Sequence, residues 1–312
     1  MDSTNHTTKR KKKFFRRNRL GIAAFVVLLI GVVCGGLQYS DFVSRTVYKE
    51  SVSHLTEVFH QSNNLLSELA DKNLTYLHMW SEYLTNTSDE SEIREYIDKA
   101  QEEAGFLSFY FLSADGNYKM ATGETGYLGL QENLEDEIRQ GKDLITNVAL
   151  PGKSQMLVFV SPRAYGTYQG FEYDAIAIAY ENADIVKVLD ISAFQGNAKS
   201  YVVHSDGRVV IDHSNESWGT VYNFFGVLRE HSDISEEIIL ELSDQFKEGR
   251  TDAMLVKLDG KDYYLVYEKS KIQDWTLLGL VPTDIVNTSM NTLQFTTMLL
   301  VGAVMLCVTL FI

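Results

Sequence analysis

Seven tyrosines fall between residues 110 and 180: Tyr110, Tyr118, Tyr127, Tyr165, Tyr168, Tyr173 and Tyr180. A phenol joins a flat apolar ring to one hydroxyl, and small-molecule pockets need apolar walls with a few aimed polar groups. Among them stands the run Phe159, Ser161 and Arg163, whose alternation sets all three on one face of an expected strand. Ile176, Ile178 and Tyr180 share a face of the next strand by the same rule. Arg163 has the fork of donors that holds a carboxylate or phosphate. The candidate ligand-binding set is therefore Tyr110, Tyr118, Tyr127, Phe159, Ser161, Arg163, Tyr165, Tyr173 and Tyr180. Each also has a plainer reading, as a core or edge tyrosine with its hydroxyl in water, or as an arginine at a strand end.

Other chemistry is harder to find. His204, Asp206, Asp212 and His213 gather around one expected hairpin, but alternation sends Asp212 and His213 to opposite faces, so no metal site is expected. The glycines of GETGYLG at 123–129 are not followed by the Gly-Lys-Ser that opens a phosphate-binding helix. No Ser-His-Asp order, His-Glu-x-x-His or paired-carboxylate signature stands out. The expectation is no catalytic residue, no cofactor and no enzyme activity in this chain. Its two cysteines, Cys34 and Cys307, both lie in apolar stretches, which excludes a disulfide framework in the polar body.

Charge and hydropathy place these residues. The first 39 residues carry a net +7 while the 312-residue chain carries −14, so the remainder carries −21. A body this acidic repels nucleic acid, whose phosphates call for Lys and Arg. Two runs lack any charge: Leu20 to Leu37, 18 residues, and Leu293 to Ile312, 20 residues. About 20 apolar residues cross a bilayer core as a helix. Two transmembrane helices are therefore expected, with the basic tail of residues 1–19 in the cytoplasm and residues from about 39 to 292 outside it.

The outer region opens with helical periodicity from Ser40 to about Thr85, where Val43, Val47, Val58, Leu65, Leu66, Leu69, Leu74 and Leu77 recur without an intervening Gly or Pro. Asp89 with Glu92 predicts a capped second helix over 90–104. Strands are predicted at 106–112, 118–122, 144–150, 156–163 and 172–180, with a charged helix near 131–140 and a short one at 184–189. A second series follows: strands at 200–204 and 208–212, helices at 221–230 and 235–248, strands at 252–258, 262–268 and 275–281, then a helix from Asp284. The two series echo each other. FLSADGNYKM resembles YVVHSDGRVV, QMLVFVSP resembles DYYLVYEKS, and Ala183-Asp184-Ile185-Val186 resembles Thr283-Asp284-Ile285-Val286, all in the same order.

This organisation resembles a double Cache (dCache) extracytoplasmic sensor region. The likeness is carried by GETGYLGL at 123–130, YQGFEYDAIAIAY at 168–180, DIVKVLDIS at 184–192, SYVVHSDGRVVIDHS at 200–214, YNFFGVLREHSD at 222–233 and DWTLLGLVP at 274–282. It is closest to the outer regions of Clostridia-type diguanylate cyclases and hybrid histidine kinases. The resemblance implies an α+β fold: a long N-terminal stalk helix and packing helix over 39–104, then two tandem PAS-like antiparallel-sheet units. These would be a membrane-distal unit at 105–190 and a membrane-proximal unit at 191–283, with an exit helix and second span at 284–312. It further implies a small extracellular ligand in the distal unit, a homodimer, and a cytoplasmic signalling domain in cis or in trans that this sequence does not contain. The Arg-x-Trp-Tyr cluster of the family's amino-acid sensors is not matched at Arg139-Gln140-Gly141-Lys142. The competing expectation is an extracytoplasmic protein-interaction module without a small ligand.

Overall fold

The computed structural model describes residues 4–128, 134–149, 155–188, 198–213 and 221–286, with 295, 296, 299 and 302. It divides into two compact units, His54–Ile285 and a smaller one made of Met1–Ser53 and Val286–Ile312. The smaller unit contains the start of helix α1, which runs Thr4–Asn86. Among the described residues no helix is long and apolar enough to cross a membrane. Of the two charge-free runs, 20–37 falls within α1, and most of 293–312 lies outside the described residues.

Everything that bears on a site lies in the larger unit. There the buried stripe of α1 is Leu55, Phe59, Leu66, Ala70, Leu77, Trp80 and Leu84. This differs from the apolar stripe expected from sequence: Leu66 and Leu77 are buried, whereas Leu65 is half exposed. Small polar side chains explain the shift. Ser62, Asn63, Ser67, Asn73 and Ser81 are all buried. Ser67 and Ser81 turn their hydroxyls back onto the carbonyls of Asn63 and Leu77, so they need no water. Helix α2, Glu90–Ala104, starts as expected, with the Asp89 carboxylate accepting from the Ser91 and Glu92 amides, and ends at Gly105 in the left-handed region.

Two antiparallel sheets follow. The first is built from β1 (Ser108–Leu112), β2 (Asn117–Met120), β3 (Thr125–Tyr127), β4 (Leu144–Ala149), β5 (Gln155–Ser161) and β8 (Ala175–Glu181), in the order β3-β2-β1-β8-β5-β4. A six-residue helix α3, Leu134–Arg139, precedes β4. Between β5 and β8 a separate hairpin forms from β6 (Gly166–Tyr168) and β7 (Phe171–Tyr173), turning through Gln169 and Gly170 at positive φ. The single strand expected over 172–180 is thus two strands, broken at Asp174. The Asp174 amide donates to Leu112 O, and its carboxylate accepts from the Ala114 amide.

After α4 (Asn182–Val188) the second sheet takes β9 (Lys199–Val203), β10 (Val209–His213), β11 (Asp252–Leu258), β12 (Lys261–Lys269) and β13 (Thr276–Pro282), in the order β10-β9-β13-β12-β11. Helices α5 (Phe224–His231) and α6 (Glu236–Glu248) come between β10 and β11, and a short α7 (Thr283–Val286) follows β13. Both sheets lay one face on α1. On the second sheet Phe59 sits over Gly279 of β13, while Asn63 donates to Glu268 Oε1 and to the Lys269 carbonyl. On the first, Trp80 packs edge-on to Phe106, and Tyr180 of β8 reaches Asn73.

The sheets also meet each other. A register shift between Val209 and Ile211 marks a bulge in β10. The Val209 carbonyl accepts from Asn147 Nδ2 at 3.3 Å, and the Val210 carbonyl from Asn182 Nδ2 at 3.5 Å.

Candidate functional site

The two sheets have the same central arrangement. Strand β8 lies between β1 and β5 as β13 lies between β9 and β12. Their faces turned away from α1 are filled very differently. On the second sheet, β13 presents Leu278 and Leu280, flanked by Tyr201, Leu265 and Tyr267 and covered by Phe224, Phe225 and Phe246 from α5 and α6. That face is packed with the protein's own large side chains. On the first sheet, β8 presents Ala175, Ala177 and Ala179. Ile138 of α3 and Leu128 pack on it, and the three alanines are fully buried.

Register builds this face row by row. Thr146, Val158, Ala179 and Ser108 lie abreast across β4, β5, β8 and β1. The next row is Leu144, Val160, Ala177, Tyr110 and Met120. The third is Ala175, Leu112, Tyr118 and Gly126. The two tyrosines meet edge to face at 4.8 Å. A methyl on Gly126 would come within 2.5 Å of the Tyr118 hydroxyl, so glycine there is what lets the Tyr118 ring lie flat along β3. Burial pushes both phenols above the ordinary tyrosine value, and Ser108 hydrogen-bonds the Tyr110 side chain. The face is an apolar floor of narrow side chains with a few hydroxyls at its margins, nearly all of it buried.

The nine residues singled out from sequence are not brought together. Tyr110 and Tyr118 are on the alanine face. Phe159, Ser161 and Tyr180 are on the opposite face, against α1, where Phe159 and Tyr180 meet at right angles. Tyr173 packs on Phe111 beneath the β6–β7 hairpin, as does Tyr168, whose ring stacks on Phe111 at 4.2 Å and whose hydroxyl donates to Ala121 O. Tyr127 and Tyr165 are exposed. Strand β5 ends at Ser161, so Arg163 does not continue its face; its guanidinium instead lies 3.7 Å from Asp143, which also pairs with His78 of α1 at 2.8 Å. Sequence reasoning passed over the three alanines of that face. Their signal was present in the alternation Ala-Ile-Ala-Ile-Ala at 175–179, where the large member was taken as the informative one.

Tyr180 is tied to α1 and α2 behind the sheet. Its hydroxyl donates to Asn73 Oδ1 at 2.7 Å, with the Ala104 carbonyl at 3.2 Å, and burial pushes it up to about 12. Tyr180→Phe leaves Asn73 Oδ1 buried without its donor. The expected cost is about 1–3 kcal/mol in urea denaturation, with ligand affinity unchanged.

His204 and Asp206 of the β9–β10 hairpin each take another partner. His204 Nδ1 bonds Asp274 Oδ1 at 2.7 Å, and Asp206 is taken up by Arg208. That contact with His204 holds the Asp274 carboxyl well below the usual carboxylate range. Among the described residues no group of three or more His, Cys, Asp or Glu side chains is placed to hold a metal ion.

No protein-family model matches this sequence, and no curated protein does. Solved structures do. The extracellular domain of the putative histidine kinase mmHK1S-Z3 is similar with a TM-score of 0.55 at 14% identity, over 80% of this chain and 98% of that one. The sensory domain of the Campylobacter jejuni chemoreceptor Tlp3, solved with isoleucine bound, matches with a TM-score of 0.51 at 10% identity, over 79% of this chain and 98% of that one. The ligand-binding domain of the Pseudomonas aeruginosa amino-acid chemoreceptor PctC, in complex with GABA, gives 0.51 at 13% identity, over 73% and 98%. At such identities the likeness speaks for the fold alone. The chain shares the fold of these extracellular, sensory and ligand-binding domains of a histidine kinase and two chemoreceptors.

Proposed function

We propose that this chain is the sensor part of a membrane receptor, and that a small molecule binds over the alanine row of the first sheet. The observation that carries the reading is the contrast between the two central strands: Leu278 and Leu280 stand on the second sheet's outer face, where the equivalent strand of the first sheet carries only the methyls of Ala175, Ala177 and Ala179. The first sheet, in residues 105–190, is the membrane-distal unit, and the second, in 191–283, is the membrane-proximal one. The charge-free runs at 20–37 and 293–312 cross the bilayer, with the basic tail in the cytoplasm and residues from about 39 to 292 outside. Two copies associate, and a cytoplasmic signalling domain in cis or in trans receives the movement. A ligand shifts the signalling equilibrium only by its differential affinity for the two states.

The test is a metabolite screen by thermal shift on the full chain in lipid nanodiscs, run in parallel on Ala177→Leu. A binder at 100 times its dissociation constant adds about 2.7 kcal/mol to stability. The leucine fills the middle of the row and is expected to abolish the shift, at a cost to the unliganded protein of about 1–3 kcal/mol. Binders that survive Ala177→Leu unchanged would move the site elsewhere.

A further inference from the structure

We infer that one labile proton is held between α1 and the second sheet, shared by Glu268 of β12 and Asn63 of α1, and that docking of the helix on this sheet takes it up from solvent. The inference goes beyond the proposed ligand site and does not depend on it. Both residues are buried, at 7% and 4% exposure. Asn63 spends both amide hydrogens: Nδ2 donates to the Lys269 carbonyl at 2.9 Å and to Glu268 Oε1 at 3.2 Å. A carbonyl can only accept, which fixes the way the amide points. Two oxygens are left over, Asn63 Oδ1 and Glu268 Oε2, both buried and without a hydrogen-bond partner among the described residues. A carboxyl and a primary amide can pair through two bonds, one in each direction. One of the two is present here, and the bare atoms are those of the other. A proton on Oε2 turns two acceptors into a donor and an acceptor, and it removes the charge that burial disfavours.

The other charged groups around Glu268 do not answer Oε2. His60 of α1 places Nδ1 2.7 Å from Oε1, the oxygen that Asn63 already serves. Its side chain is 53% exposed, and a pair with one member in water is weakly held. On α1 the nearby acids are Glu57, which accepts from Gln61, and Glu68, which is exposed. On the sheet, Leu277 of β13 lies abreast of Glu268, and Val266 and Ser270 are its neighbours along the same face; none of them titrates. Asp252 of β11 stands opposite Tyr267, on the other face, and the Lys269 stem packs by Gly249. In the β12–β13 turn Lys271 is exposed and Asp274 is paired with His204. A glutamate freed into water gives up its proton above about pH 4.3, whereas the docked pair keeps it. The docked state thus binds the extra proton. Its contribution is fully present below that pH and is lost as pH rises through the point where the docked pair lets go. The hold of α1 on this sheet becomes a reading of acidity on the side of the membrane where the unit lies.

The experiment uses the full chain in nanodiscs, as the parent, Glu268→Gln and His60→Ala. Glutamine is the neutral stand-in for the protonated acid: its oxygen still accepts from Asn63, and its amide nitrogen donates to Asn63 Oδ1. Infrared spectroscopy at neutral pH reads the carbonyl stretch of a protonated carboxyl, and urea denaturation over about pH 5 to 8 reads the linkage. The parent is expected to show the acid band, and a folding equilibrium that weakens with rising pH by up to about tenfold per pH unit, the limit for one linked proton. Glu268→Gln is expected to lose the band and flatten the slope while keeping the parent's stability at low pH. His60→Ala is expected to keep both band and slope. A parent without the band, a band that survives Glu268→Gln, or a slope that vanishes in His60→Ala overturns the inference, the last in favour of a plain His60–Glu268 ion pair. The infrared reading of the parent stands even if a variant folds poorly.

Discussion

Gly279→Ala is expected to destabilise the sheet-bearing unit by about 1–3 kcal/mol, and Phe59→Ala by about 3–5 kcal/mol, yet the two together should cost less than their sum. Phe59 is fully buried on α1, and a methyl at 279 would stand 1.8 Å from its ring tip and 2.2 Å from the next carbon. Neither side can give way easily. Gly279 is paired with Val266 on one flank and Ser200 on the other, so β13 is held in the middle of its sheet. The helix is held one turn further on by Asn63, which donates to Glu268 and to the Lys269 carbonyl at 2.9 Å. Removing the ring vacates the space that the methyl needs. Contacting residues of this kind show interaction energies of about 0.5–3 kcal/mol in double-mutant cycles. Thermal denaturation of the full chain followed by circular dichroism measures all three variants. In a unit of this size each kcal/mol moves the midpoint by about 2–4 °C. Strict additivity would mean that the ring and the glycine do not share one space.

Phe246→Ala carries a comparable penalty for a different reason, about 3–5 kcal/mol. Its ring is fully buried under α6, against Phe225 at 5.4 Å and Tyr267 at 5.2 Å. Tyr267 is itself buried enough to be pushed up to about 12, and its hydroxyl is bonded to Gln245, one residue from Phe246. Little of this can collapse into the gap, because the sheet beneath is already filled by Leu278 and Leu280. Ile138→Ala removes the corresponding cover from the first sheet and is expected at the low end, about 2 kcal/mol. The comparison is made by urea denaturation of the two variants side by side. Equal losses would argue that the alanine face is packed as tightly as its counterpart, which would weaken the case for a ligand there.

Much of the architecture was legible in the residues. The Asp-Gly turns at 115–116 and 206–207, the helices over 224–231 and 236–248 and the strands of the second sheet stand within a few residues of expectation. Local signals settle such elements: alternation, caps and turn glycines. What alternation left open was orientation: it tells which residues share a face but not which face meets α1, and Tyr180, which the structure ties to Asn73, lies on the helix side. The break at Asp174 was hidden for a related reason, since the aspartate is held by Leu112 and Ala114, some 60 residues away in sequence. The alanines drew no attention because their side chains are small. Only the comparison with Leu278 and Leu280 on the sister strand sets them apart.

The bulge in β10 bears on how such modules can be recombined. Two main-chain oxygens of the later unit are answered by side-chain amides of the earlier one, Asn147 and Asn182. A chimaera spliced between the halves would keep this seam only if the donor of the front half brought amides at those two places. Receptor engineers exchanging front halves to change what is sensed would do well to transplant the pair of asparagines along with it.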